Sequence, residues 1–279
     1  MSAPTRGTPR RGDVEHTRVV RAIGHDIRVR VRPGTGDGPV LLLCNGIGAS
    51  LEVLQPLVDH LDPSITAARF DVPGVGGSPD ARLPYTMPVL AHGLGILLDK
   101  LGYERADVFG ISWGGALAQQ FAFQHPQRCR RAVLVSTGTG SIMVPAGPKV
   151  LARMVTPRRY RDPDYARQIA ADLYGGSTRD NPDAVRTLVG SHTRAGSRRG
   201  YRHQLLAGAG WCSLPWLRLI RQPTLLLFGD DDPLIPVVNG RILQRGLPHG
   251  ELVVYPGGHL DVVVQAQTYG PVISEFLLR

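Results

Sequence analysis

Apolar and polar positions along this chain fall into two alternating patterns. The first is a short, unbroken apolar run, of which Val40-Leu41-Leu42-Leu43-Cys44 is the clearest. A strand with no polar face is buried on both sides, as in a parallel sheet covered by helices. Ile65–Phe70, Ala106–Phe109, Ala132–Val135, Thr224–Phe228 and Leu252–Tyr255 repeat the theme. The second pattern is amphipathic with helical spacing, over Leu51–Leu61, Pro88–Leu101, Gly115–His125, Val237–Arg245 and Leu260–Leu278. Thr86, just ahead of Pro88, reads as a helix N-cap. Strands alternating with helices predict an α/β fold on a mostly parallel, doubly wound sheet.

Two segments depart from this rhythm. Ile27, Val29 and Val31 alternate with Arg28, Arg30 and Arg32 behind a turn at Gly24-His25-Asp26. That predicts a half-exposed N-terminal antiparallel hairpin at a sheet edge. From residue 139 to 221 no buried strand is visible, only helical and loop patterns. Met143, Val144, Val150, Leu151, Met154, Tyr174, Leu205, Leu206, Trp211 and Trp216 supply its apolar material. Because it falls between two strands of the sheet, the segment is expected to form a helical cap, or lid, over the C-terminal sheet edge. The core is then 17–138 together with 222–279, and residues 1–16 form a disordered basic tail.

Composition narrows the class. With 279 residues, 42% hydrophobic, the chain is long enough for one sizeable core. No apolar run approaches the length of a membrane span. The N-terminus lacks the apolar stretch of a secretion signal, and Arg10-Arg11 runs into Gly-Asp-Val-Glu, unlike a twin-arginine signal. A cytoplasmic protein is expected. Cys44, Cys129 and Cys212 are too few and scattered for a disulfide framework or a metal site. The net charge of +9 invites a nucleic-acid reading, but the arginines are spread along the chain and Lys100 and Lys149 are its two lysines. With no basic helix carrying interleaved aromatics, an arginine-biased surface is the simpler account and no nucleic-acid partner is expected.

The chemistry centres on Gly110-Ile111-Ser112-Trp113-Gly114, between an expected strand and a small-residue helix. In that context Gly-x-Ser-x-Gly is a nucleophile elbow, with glycines where a Cβ would meet the neighbouring strand and helix. A serine hydroxyl needs an adjacent base, normally a His oriented by a buried carboxylate. In this architecture the order is Ser, acid, His, each just after a strand. Gly229-Asp230-Asp231-Asp232-Pro233 follows one strand and Pro256-Gly257-Gly258-His259 follows the last. His259 is the expected base. Among three consecutive aspartates Asp232 is preferred because the turn can fold back from it toward His259, while Asp230 and Asp231 are expected to cap the turn or face solvent. The backbone N–H groups of Trp113 and Ile47 are the candidate oxyanion donors, one such donor being worth about 3–4 kcal/mol. Asn45, Met143, Trp211 and Trp216 are candidate pocket residues. The turn Gly74-Val75-Gly76-Gly77 lacks Gly-x-Gly-x-x-Gly spacing, and no metal or organic cofactor is expected.

This layout resembles the α/β-hydrolase superfamily. Leu43–Ala49, Phe70–Ser78, Gly110–Phe121 and Gln222–Pro236 are similar to the intracellular medium-chain-length polyhydroxyalkanoate depolymerases of bacteria. So are Met143-Val144-Pro145, Pro157-Arg158-Arg159-Tyr160 and Tyr174-Gly175-Gly176 within the cap. Asn45-Gly46 stands where most relatives carry His-Gly. The resemblance implies hydrolysis of ester bonds in poly(3-hydroxyalkanoates) at storage granules. Arg158, Arg159, Arg198 and Arg199 of the cap read either as a solvated face or as an attraction for carboxylate ends or a granule surface.

Two other classes compete. One is an α/β-hydrolase acting on small carboxylic esters, C–C bonds or peracids. The other is a non-enzymatic ligand receptor or granule-coat protein on the same fold, which a complete Ser, Asp, His set argues against. A haloalkane dehalogenase needs an Asp where Ser112 stands. Oligomeric state is not legible in these residues.

Overall fold

The computed structural model describes residues 14–154, 158, 162–190 and 196–279. The basic stretch before residue 14, together with Pro157, Arg159 and Tyr160, lies outside the described residues. Eight strands form one sheet: β1 (His16–Ala22), β2 (His25–Arg32), β3 (Val40–Cys44), β4 (Thr66–Phe70), β5 (Ala106–Ile111), β6 (Cys129–Val135), β7 (Thr224–Gly229) and β8 (Gly250–Tyr255). Their spatial order is β1-β2-β4-β3-β5-β6-β7-β8. β1 and β2 pair antiparallel, β2 joins β4 antiparallel, and every later pairing is parallel. Since β1 begins at His16, the chain is already in the sheet at the last residue assigned to the tail.

The unbroken apolar runs fill two cores at once because successive side chains leave a strand on opposite faces. Leu42 and Cys44 pack with α2 (Met87–Leu101) and α3 (Trp113–Gln124), whereas Leu41 and Leu43 pack with α1 (Gln55–Asp59) and a C-terminal helix pair. That pair is α9 (Asp261–Val264) and α10 (Ala266–Leu278), one expected helix broken at Gln265. Between β6 and β7 run α4 (Pro148–Met154), α5 (Pro163–Tyr174), α6 (Asp183–Gly190) and α7 (Arg198–Ala209), and α8 (Val238–Gly246) lies between β7 and β8. Thr86 is the N-cap residue of α2, though its side chain makes no capping bond. Among the described residues, no helix is long and apolar enough to cross a membrane.

Two expectations are corrected at the hairpin. Its turn is the two-residue Ile23-Gly24, with φ of 44° and 75°, and His25 already pairs with Ala22. Positive φ at both central residues suits the right-handed twist of the flanking strands. Arg28 is buried rather than solvated. Its Nε donates to Asp71 Oδ2 at 2.5 Å, and its two terminal nitrogens donate to Glu52 at 2.7 and 2.8 Å. Asp71 also accepts the Leu51 and Gly77 N–H groups, each at 2.8 Å. The glycine-rich segment after β4 is thus a turn wrapped on a carboxylate.

Arg28→Met would leave Asp71 buried without its cation and Glu52 facing Arg30 at 3.9 Å. Losing one partner of a buried charged cluster costs about 3–5 kcal/mol, and a urea-unfolding midpoint lowered in proportion is the expected outcome.

Candidate active site

β5 ends at Ile111 and α3 begins at Trp113, so the chain reverses direction through Ser112 alone. Ser112 has φ 56° and ψ −121°, a conformation that costs on the order of 1–3 kcal/mol and persists only when neighbours enforce it. Its N–H donates to Val135 O at 2.9 Å, and its carbonyl accepts from Gly115 N at 2.9 Å and Thr137 Oγ1 at 2.7 Å. The flanking glycines allow the close approach. A Cβ on Gly110 would lie 2.3 Å from Gly114 O, and one on Gly114 would lie 2.1 Å from Cys44 O. Helix α3 therefore seats directly on the end of β3.

The loops after β7 and β8 are knitted to each other. Asp231 N–H donates to Gly257 O at 2.9 Å, and Gly257 N–H donates to Asp230 Oδ1 at 3.0 Å. This brings His259 Nδ1 to 2.8 Å from Asp232 Oδ2, with both side chains buried. The other Asp232 oxygen accepts the Leu234 and Ile235 N–H groups, each at 2.9 Å. A carboxylate only accepts, so Nδ1 carries a proton, and in the neutral imidazole Nε2 keeps its lone pair. The neighbouring aspartates are engaged elsewhere. Asp231 pairs with Arg179 at 2.6 Å, which holds its carboxyl below the usual range. Asp230 serves Gly257. Neither stands in for Asp232.

The helical segment between β6 and β7 reaches this pair. Tyr174 O accepts the His259 N–H at 2.7 Å, and the two rings stack 6.1 Å apart. The fully buried Asp261 accepts the N–H groups of Gly258 at 2.8 Å and Ser177 at 3.0 Å, and the Ser177 hydroxyl. No local signal in the sequence links Ser177 to Asp261, 84 residues further on. Tyr174-Gly175-Gly176 is the part of this clamp visible in the sequence.

Ser112 and His259 line one hollow, with Asn45, Gly46 and Ile47 on the β3 side. Its remaining walls are Ala49, Val53, Ile111, Met154, Tyr174, Leu234, Leu260 and Val263. Trp113 N–H is in the first turn of α3, where a helix leaves its donors without intrahelical acceptors. Asn45 is the one candidate pocket residue found in this wall. Trp211 and Trp216 instead border a separate hollow, where Trp211 Nε1 donates to Gln120 Oε1 at 2.8 Å and Trp216 stacks on Phe123. Met143 packs on Gly138, away from the Ser112 hollow. These three are corrected: their apolar surface belongs to packing between the helical segment and α3 or to the strand-end loop. Among the described residues, no group of three or more His, Cys, Asp or Glu is placed to hold a metal ion.

Known proteins resemble this arrangement. The sequence model of a family described as "alpha/beta hydrolase fold" matches residues 39–266. A poly(3-hydroxyalkanoate) depolymerase from Ectopseudomonas oleovorans is 46% identical over 260 residues, 93% of this chain and 92% of that protein. The 3-oxoadipate enol-lactonase 2 of Acinetobacter baylyi is 28% identical over 253 residues, covering 88% of this chain and 91% of that one. Among solved structures, the enol-lactonase from Burkholderia xenovorans LB400 superposes with a TM-score of 0.80 at 22% identity, over 94% of this chain and all (100%) of its own. That likeness speaks for the fold.

The shared proton between His259 and Asp232 should give a far-downfield imidazole N–H resonance. It should disappear in Asp232→Asn and survive in Asp231→Asn, as read by one-dimensional proton NMR.

Proposed function

The chain belongs to the α/β hydrolase family, and from that premise we propose that it is a serine hydrolase cleaving the ester bonds of medium-chain-length poly(3-hydroxyalkanoates). The single observation that carries the mechanism is the hollow in which the Ser112 elbow meets His259, itself tied to buried Asp232. The likeness to a depolymerase over nearly the whole chain supports the polyester as substrate.

In this reading the lone pair on His259 Nε2 takes the Ser112 proton as Oγ attacks the ester carbonyl. Negative charge collects on the carbonyl oxygen, where the Ile47 and Trp113 N–H groups stabilise it. The imidazolium hands its proton to the departing 3-hydroxyl, leaving Ser112 acylated. Water, deprotonated by His259, then attacks the acyl carbonyl, and the proton returns to Ser112 as the 3-hydroxy acid or oligomer leaves. Asp232 holds the ring in its working tautomer and stabilises the imidazolium.

The walls explain the acyl preference. Val53, Met154, Leu234, Leu260 and Val263 offer aliphatic surface to an alkyl side chain, each buried CH₂ contributing roughly 0.8 kcal/mol. Residues 139–221 act as the cap that supplies the Met154 and Tyr174 walls to the 17–138 and 222–279 core. The substrate would be met at the surface of a storage granule inside the cell, with arginines facing the polymer's carboxylate ends.

Three outcomes are expected. Ser112→Ala lowers kcat by about a millionfold and abolishes fluorophosphonate labelling. Asp232→Asn lowers kcat by about ten thousandfold, with little change in unfolding midpoint. The protein clears a suspension of medium-chain polyester faster than short-chain polymer. Rapid turnover of short p-nitrophenyl esters without any clearing would overturn the polymer assignment and leave the hydrolase in place. An unlabelled Ser112 in folded protein would overturn both.

A further inference from the structure

One polar side chain of the helical segment reaches the expected oxyanion site without touching the hollow. Gln204 is 1% exposed, and its Oε1 accepts the Gly48 N–H at 2.8 Å. Its own backbone carbonyl accepts the indole N–H of Trp113 at 2.9 Å. The residue therefore touches both chain segments that carry the candidate oxyanion donors. Gly48 follows Ile47 on the loop after β3, and Trp113 follows Ser112.

Three bonds within the loop after β3 fix its local shape, and at its far end Leu51 N–H donates to Asp71 Oδ1 at 2.8 Å. Asn45 Nδ2 donates to Ser50 O at 2.7 Å, Gly46 N–H donates to Asn45 Oδ1 at 2.8 Å, and Ala49 N–H donates to Gly46 O at 3.2 Å. All three bonds stay between residues 45 and 50. The Gln204 bond comes from an element 156 residues away. It ties the Ile47–Gly48 peptide to the helical segment.

Helix α7 is held so that Gln204 can do this. Residues four apart share one helix face, and Gly200, Gln204 and Gly208 form such a stripe. Gly200 lies against the turn after β4, where a Cβ would come within 2.2 Å of Gly74 O. Ser197 N–H donates to that same Gly74 O at 2.9 Å, and the Ser197 side chain caps the helix by accepting from Gly200 N. At the other end a Cβ on Gly208 would sit 3.3 Å from the Trp113 ring. The stripe is small, polar, small, and its polar member falls opposite Gly48.

We infer that Gln204 is a positioning residue through which the helical segment sets the oxyanion site, holding the Ile47–Gly48 peptide and Trp113 at a fixed separation. This rests on the serine hydrolase reading above. Donors that are aimed before charge develops need no reorganisation during the reaction. Loss of the Gln204 acceptor therefore acts on the transition state and spares ground-state binding.

Gln204→Leu keeps the side-chain bulk and removes the acceptor, and Gln204→Glu keeps an acceptor oxygen. The measurements are kcat and KM on p-nitrophenyl octanoate, each normalised to Ser112 sites titrated with a fluorophosphonate, and inhibition by octylboronic acid, whose Ser112 adduct places an oxygen at the oxyanion site. Expected for Gln204→Leu is a kcat per titrated site lower by about tenfold to a hundredfold, below the cost of deleting a donor outright. KM should stay within about threefold, and boronate inhibition should weaken in step with kcat. Gln204→Glu should recover most of the kcat lost in Gln204→Leu. Should Gln204→Leu fail to fold, Trp113→Phe, which removes the indole donor to Gln204 O, should shift kcat and boronate inhibition in the same direction with KM held. A variant with fewer titratable sites but parental kcat per site and parental boronate inhibition overturns the positioning role and leaves the hydrolase reading standing. A parent protein that is neither labelled nor active overturns both.

Discussion

The reversal of the chain at Ser112 is the constraint on which the rest depends. One residue with φ 56° turns a buried strand into a helix, so the Ser112 side chain stands at the carboxyl edge of the sheet beside a helix N-terminus. Such a turn persists only if the neighbouring backbones come very close. Gly110 and Gly114 permit that, and the result is α3 seated on the Cys44 carbonyl. Everything needed near the serine then follows from the sheet order. β3 and β6 flank β5, and β7 and β8 extend the same parallel edge. The loops carrying Ile47, Asp232 and His259 emerge on the same side of the sheet.

The helical segment between β6 and β7 is bound into this arrangement rather than hinged above it. Ala166, Ile169, Ala170, Leu173 and Tyr174 belong to the same apolar cluster as strands β3 and β5 and helices α2 and α3. Its polar contacts include the His259 loop, through Tyr174 O and Ser177, and the loop after β3, through Gln204. Both contacts use buried groups, whose bonds are costly to break. The Met154 and Tyr174 walls of the Ser112 hollow and the bond to Gly48 thus come from the same insertion.

Much of this was legible in the chain because it is local. An apolar run without a polar face states its own burial, and a serine between two glycines after such a run states its own turn. The order of Asp232 and His259, each behind a strand, was readable for the same reason. Arg28 was not. Period-two alternation put it on a polar face, but its carboxylate partner Asp71 lies 43 residues further on and no local signal links them. Trp211, Trp216 and Met143 failed in another way. Apolar side chains in a cap are needed somewhere, and composition says nothing of which way each one points. The hairpin turn slipped by one residue because its first position is Ile23, whose positive φ its side chain disfavours, and only Gly24 marks the turn.

The family, the sheet, the turn at Ser112 and the placing of Asp232 and His259 each behind a strand were therefore carried by residues adjacent in the chain, where spacing and steric exclusion act directly. Asp232 was the aspartate preferred on the sequence, but its contact with His259, rather than one from Asp230 or Asp231, is made by the crossing of the loops after β7 and β8. The hold of Gln204 on Gly48 likewise came only with folding. Contacts between residues far apart in sequence arise when packing brings whole elements together, and a single glutamine in a helix does not announce the backbone amide it will meet.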